Sequence, residues 1–142
     1  MGDISDGMCV KCGRDIDDKY GSGICAVCAA VPALSVAKVR AKYLSMGMDV
    51  ARPEMENAQY DLVYRDSGTK KWRTVQVKTA YGGVVNTCRP DRVGRKPYTH
   101  DMVDQIAIVD GDDIFVLLLE DCNNGGRMKM EDIRADYFPL GA

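Results

Sequence analysis

Apolar residues recur along this chain in two rhythms, and the change between them marks its elements. From about Leu34 to Met46, Val36, Val39, Tyr43 and Leu44 fall at helical spacing on one face. Ser35 is placed to cap that helix and Gly47 to end it, and Ala29-Ala30-Val31-Pro32-Ala33 ahead of it reads as a linker. The rhythm then shortens. Met48-Asp49-Val50-Ala51-Arg52 reads as a short strand closed by Pro53, and Glu54 to Gln59 as a polar loop. Tyr60-Asp61-Leu62-Val63-Tyr64 and Trp72 through Ala80 read as two strands of a hairpin, joined by a turn carrying Asp66, Ser67 and Gly68. Tyr81 to Pro97 is Gly-rich and basic without apolar periodicity, and a loop of this length serves function more often than packing. Thr99 to Ile106 reads as a second helix, with His100 and Asp101 in its opening turn and Asp104 and Gln105 serving packing or a site rim. Ile106-Ala107-Ile108-Val109 and Ile114 through Leu119 read as strands joined by Asp110-Gly111-Asp112-Asp113, and their nearly continuous apolar character predicts burial on both faces. Asn123-Asn124-Gly125-Gly126 reads as a turn and Met130 to Tyr137 as a short helix.

At 142 residues, 46% of them hydrophobic, the chain can bury the core of one ordinary domain with a small appendage. No run approaches the roughly 18 apolar residues of a membrane helix, and the first residues lack the basic and apolar regions of a secretory signal. The expectation is a cytoplasmic protein without membrane contact. The net charge of -2 hides a strong division: residues 1–33 carry -2, residues 34–100 carry +7 and residues 101–142 carry -7. The basic excess falls on the segment that holds the hairpin, as expected of a face that meets a polyanion.

Cys9-Val10-Lys11-Cys12 and Cys25-Ala26-Val27-Cys28 form two CxxC pairs with twelve residues between Cys12 and Cys25. In a chain without a secretory signal, paired thiols at this spacing are metal ligands more often than disulfides. Cys9, Cys12, Cys25 and Cys28 together supply the tetrahedral thiolate set that Zn2+ prefers, and four thiolates leave no open coordination position. The expected zinc is therefore structural. Residues 1–33 are expected to form a small zinc-ribbon or zinc-knuckle module, and residues 34–142 the main domain.

The hairpin carries the chemistry. Gln76 and Lys78 are two apart on one strand and so share a face, while Asp61 opens the other strand. A carboxylate, an amide oxygen and an ammonium facing one point make a cation site with a general-base or charge-stabilising lysine beside it. Singly, an aspartate at a strand start caps a turn and a strand lysine faces water. Their meeting on one hairpin is what points to a centre.

The order helix, strand, acid-bearing strand, strand with Gln-Val-Lys, helix, strand resembles the core of the PD-(D/E)XK, or restriction-endonuclease-like, nuclease superfamily over roughly residues 34–120. Tyr60-Asp61-Leu62-Val63 and Val75-Gln76-Val77-Lys78-Thr79-Ala80 are similar to the QxK subgroup that includes an intron-encoded homing endonuclease and relatives of Holliday junction resolvases. The resemblance implies an α/β fold with a mixed sheet flanked by helices, Mg2+ or Mn2+ as cofactor, and hydrolysis of a phosphodiester in DNA. It places Asp61 and Gln76 on the metal, with the carbonyl of Val77, and Lys78 beside the attacking water. Many members carry a metal-facing glutamate on the first helix, and Ser35-Val36-Ala37-Lys38-Val39 has none. Glu54 or Glu56 is then the candidate second carboxylate, and Arg89, Arg92, Arg95 and Lys96 of the basic loop are the candidate DNA contacts.

The expected function is a metal-dependent DNA endonuclease, acting as a homodimer if it cuts both strands. Two alternatives stand beside it: a nuclease fold that binds DNA without cutting it, and a zinc-ribbon module that acts through protein partners.

Overall fold

The hairpin read from the sequence forms the middle of a mixed five-stranded sheet. The computed structural model describes residues 26–54, 60–66, 68–87, 98–99, 102–122 and 126–141. The chain divides into two units, Met1–Leu34 and Ser35–Ala142. In order, the elements are α1 (Ala26–Ser45), β1 (Asp49–Ala51), β2 (Leu62–Arg65), β3 (Arg73–Thr79), β4 (Val84–Asn86), β5 (Gln105–Asp110), β6 (Asp113–Leu118), a short 3-10 turn (Leu119–Asp121), β7 (Arg127–Lys129) and α2 (Met130–Asp136). The main sheet runs β1-β2-β3-β5-β6, and β4 pairs with β7 separately. Its pairs are antiparallel except β3 with β5, which are parallel.

Two apolar clusters sandwich this sheet. On one face Leu62, Tyr64, Val75, Val77, Ala107, Val109 and Ile114 pack with Val39 and Tyr43 of α1. On the other, Ile106, Ile108, Phe115 and Leu117 pack with Val85, Tyr98, Val103, Met130 and Ile133. Strand β5 thus contributes to both clusters, and its alternating side chains are buried on both faces, as its unbroken apolar run predicts. The turn of the β5–β6 hairpin is clipped to α2 by Arg134, which donates to Asp113 at 2.9 Å and Asp110 at 2.8 Å.

The ring of Tyr43 stacks on Tyr64 with centroids 4.2 Å apart, and the Tyr64 hydroxyl donates to the buried Gln105 Oε1 at 2.6 Å. This bond ties β2 to β5 across β3. Tyr64→Phe strands the amide oxygen in the core, so urea unfolding should show a loss of about 1–3 kcal/mol. A loss under ~0.5 kcal/mol would mean that the Gln105 side chain is satisfied by other means.

Four expectations are corrected. The segment 29–33 is not a linker, because α1 begins at Ala26 and runs through Pro32. Alanines at 29, 30 and 33 favour helix strongly enough to carry the chain past a proline, which removes only the bond to the carbonyl of Cys28. Ser35 is accordingly no cap: it sits mid-helix, buried, with its hydroxyl 2.7 Å from that of Thr79. Of the expected helix from Thr99 to Ile106, none of the described residues is helical either. The N–H groups of Met102 and Val103 both turn back to the Thr99 carbonyl, and Gln105 and Ile106 already belong to β5. Asp104, expected in that helix, clasps the edge of β3: its N–H donates to Thr74 Oγ1 at 2.9 Å, and its Oδ2 accepts from the Thr74 N–H at 2.9 Å. Finally, part of the stretch expected as loop from Tyr81 is a strand, β4. A tight turn feeds it, with Gly82 and Gly83 at φ 57° and 77° between the bridged Tyr81 and Val84. Such a two-residue turn needs positive φ at both positions, which glycine adopts without steric cost.

Among the described residues, no helix is long and apolar enough to cross a membrane.

Candidate active site

Strand β2 pairs with β3 so that Leu62 lies against Val75 and Val63 against Thr74. One step further in the same register, Asp61 lies against Gln76. The backbone of β2 ends here, and the side chain of Asp61 takes over. Its N–H still donates to the Val75 carbonyl at 2.9 Å, while its Oδ2 accepts the N–H of Val77 at 2.7 Å. The carboxylate therefore stands in for a missing ladder carbonyl and is held rigidly against β3. An ionised carboxylate offers about four acceptor positions, so this bond leaves capacity for a cation.

Alternation along β3 buries Val75 and Val77 and leaves Thr74, Gln76 and Lys78 half-buried on the other face. Burial raises the Asp61 carboxyl above the ordinary carboxylate pKa, against the opposing pull of the Val77 N–H and the positive charges of Lys78 and Arg52. Lys78 and Arg52 thus bear on Asp61 through their charge. Lys78 is also placed by an aromatic surface: its Nζ lies 5.0 Å from the ring centroid of Tyr98, a residue buried in the cluster beside β5. That separation is within the range of a cation–π attraction.

Asp61, Gln76 and Lys78 are thus neighbours on the β2–β3 hairpin. Sequence reasoning missed two participants. Arg52 follows β1, and Tyr98 lies twenty residues beyond Lys78. Neither belongs to a motif, since each reaches the site only through the pairing of distant strands.

Of the other candidates, Glu54 and Cys28 belong to the described residues. Glu54 is exposed, in a bend after Pro53, and Glu56 lies outside the described residues. So do Arg89, Arg92, Arg95, Lys96, Cys9, Cys12 and Cys25, as does His100. Cys28 lies in the first turn of α1. Cys122 is a free thiol, half-buried, and burial together with Asp121 and Glu120 pushes it up to about 11, so it is not a reactive thiolate.

Among the described residues, no three His, Cys, Asp or Glu side chains gather as a metal cluster. A cation at the hairpin would rest on the Asp61 carboxylate and the Gln76 amide oxygen. Both are hard oxygen donors, and Mg2+ keeps several waters and needs only one or two protein carboxylates, so the donor set suits it.

No family model matches the chain, and no curated protein matches it in sequence. Among solved structures, the bacterial homing endonuclease I-Ssp6803I is similar, with a TM-score of 0.59 and 20% sequence identity over 69% of this chain and 74% of that chain. At that identity the likeness is one of fold alone.

Proposed function

We propose that this chain is a metal-dependent DNA endonuclease of the PD-(D/E)XK type, with Asp61, Gln76 and Lys78 as its centre. The observation that carries the reading is the Asp61 carboxylate, locked to the Val77 N–H on β3 with Lys78 within electrostatic reach, in a fold similar to that of a homing endonuclease. Asp61 and Gln76 would hold Mg2+ or Mn2+, and Glu54 or Glu56 would add a carboxylate. When bound, such an ion polarises the scissile phosphate and lowers the pKa of a bound water. Lys78, steadied by the Tyr98 ring, orients the water and offsets the charge that gathers on the phosphate oxygens. Arg89, Arg92, Arg95 and Lys96 bind phosphates on either side, and a homodimer supplies one centre for each strand. Cys9, Cys12, Cys25 and Cys28 hold one structural Zn2+ that organises the N-terminal unit.

Incubation of the purified protein with plasmid, branched and single-stranded DNA should give cleavage that requires Mg2+ or Mn2+ and stops on chelation by EDTA. A second reading is supported by the lack of a carboxylate cluster among the described residues: a nuclease fold that binds DNA without cutting. It expects retarded complexes and intact strands under both metals, and that result would displace the first reading.

A further inference from the structure

The register that sets Asp61 against Gln76 continues toward the other end of the hairpin. Val63 lies against Thr74, and the next pair in register is Arg65 with Trp72, whose guanidinium carbon and ring centroid are 4.6 Å apart. Side chains directly opposite one another in an antiparallel pair share a face. Asp61, Val63 and Arg65 of one strand, and Trp72, Thr74, Gln76 and Lys78 of the other, therefore form a single strip. Its reverse side, Leu62, Tyr64, Val75 and Val77, is buried against α1. Where β5 continues the strip's face of the sheet, Ile106 and Ile108 are covered by the cluster of Val85, Tyr98, Met130 and Ile133. On β2 and β3 the strip's residues are only half-buried or exposed.

At its far end the strip is pinned and basic. Asp49 holds Arg65 at 3.1 Å, which fixes the guanidinium over Trp72, itself 39% exposed. The turn beyond closes on itself through the Thr69 N–H to the Asp66 carbonyl at 3.0 Å, and Lys70 and Lys71 follow, fully on the surface. Among the described residues, no carboxylate pairs with either lysine. A pair of unneutralised ammonium groups at the end of an open strip that begins at a phosphodiester-hydrolysing centre matches one partner, the continuing phosphate backbone.

We infer that Lys70 and Lys71 at the β2–β3 turn are a DNA contact, gripping the duplex backbone on one side of the scissile bond while the strip lies along the DNA. This rests on the nuclease reading. Lys71 lies five residue steps before Gln76, or about 17 Å at the rise of an extended strand. That length matches roughly five base pairs at 3.4 Å per step. The Arg65–Trp72 pair sets the position of the lysines and is not itself the grip.

The test is equilibrium binding of a linear duplex in EDTA, from 50 to 200 mM salt, by wild type, Lys70→Ala/Lys71→Ala and Lys70→Arg/Lys71→Arg. The alanine pair should lower the slope of log K against log salt by about 1.8, the share of two phosphate contacts, with an unchanged urea midpoint. The arginine pair should keep the wild-type slope. Hydroxyl-radical footprinting should show one flank of protection, about five base pairs long, lost from the alanine pair alone. An unchanged slope and footprint would overturn the inference even where wild type cuts DNA. Wild type that binds without cutting, with the slope still lost on substitution, would leave the grip standing and remove only the hydrolysis. Wild type with no salt-dependent affinity would end both.

Discussion

Asp61→Asn should reduce metal-dependent cleavage by about 10^3-fold and yet leave the protein no less stable at neutral pH. The two halves of this expectation have one cause. Burial lifts the Asp61 carboxyl above its ordinary range, and the N–H of Val77, Lys78 and Arg52 do not cancel the shift. Between the ordinary carboxylate pKa and this raised one, the folded chain holds the proton more tightly than the unfolded chain does. The stability contributed by this group is fully present below the ordinary value and is lost as pH rises through the raised one. Above that window the buried charge weighs against folding. Asparagine removes the charge and keeps an oxygen to accept the Val77 N–H, so the ladder closure survives.

Urea unfolding from pH 4 to 8 checks the stability half. Wild type should lose stability across the window and regain it on addition of Mg2+ or Mn2+, whereas the asparagine variant should be flatter with pH and indifferent to the metal. Asp61→Ala gives the contrast, because it leaves the Val77 N–H without its acceptor and should cost about 1–3 kcal/mol. If the asparagine variant were as unstable as the alanine variant, Asp61 would be a structural closure of the hairpin and nothing more.

The parts of the fold that are legible in the sequence are those whose pattern is local. Alternation from Arg73 to Thr79 and the unbroken apolar run of β5 record which faces are covered, whereas the equally apolar run of β6 overstates its burial, because β6 ends the sheet and leaves Leu118 exposed. Strands β4 and β7 are three residues each and find one another across some forty residues of chain. Only the Gly82-Gly83 turn hints at β4. The segment from Thr99 to Ile106 carries a plausible helix start, but its residues are claimed by long-range partners: Asp104 by Thr74, and Gln105 by Tyr64 and by β3. Tertiary pairing overrides local preference there.

The site divides the same way. Asp61, Gln76 and Lys78 are readable because one hairpin holds all three. Tyr98 and Arg52 are not, because the first meets Lys78 only once β3 is aligned in parallel with β5, and the second follows a different strand. The likeness to a homing endonuclease is one of fold, and 20% identity leaves little of it to read in the sequence.

Lys78→Ala should lower cleavage by about 10^2 to 10^3-fold while DNA affinity changes far less. An ammonium that merely binds phosphate acts equally on ground state and transition state, and its removal raises KM and leaves kcat alone. One aimed at charge that develops during hydrolysis acts on kcat. The placement of Lys78 favours the second: its neighbour Asp61 is the candidate metal ligand, and the Tyr98 ring 5.0 Å away limits where the ammonium can go. Loss of one phosphate contact should reduce the salt slope of binding by only about 0.9. Single-turnover cleavage at saturating protein, with affinity measured separately in EDTA, distinguishes the two. Tyr98→Phe keeps the ring face and should leave the single-turnover rate near wild type, whereas Tyr98→Leu frees the ammonium and should slow it. A Lys78→Ala enzyme with full single-turnover rate and weakened affinity would reduce Lys78 to a phosphate anchor, and the charge-stabilising role would have to pass to another cation that acts on Asp61, of which Arg52 is the candidate.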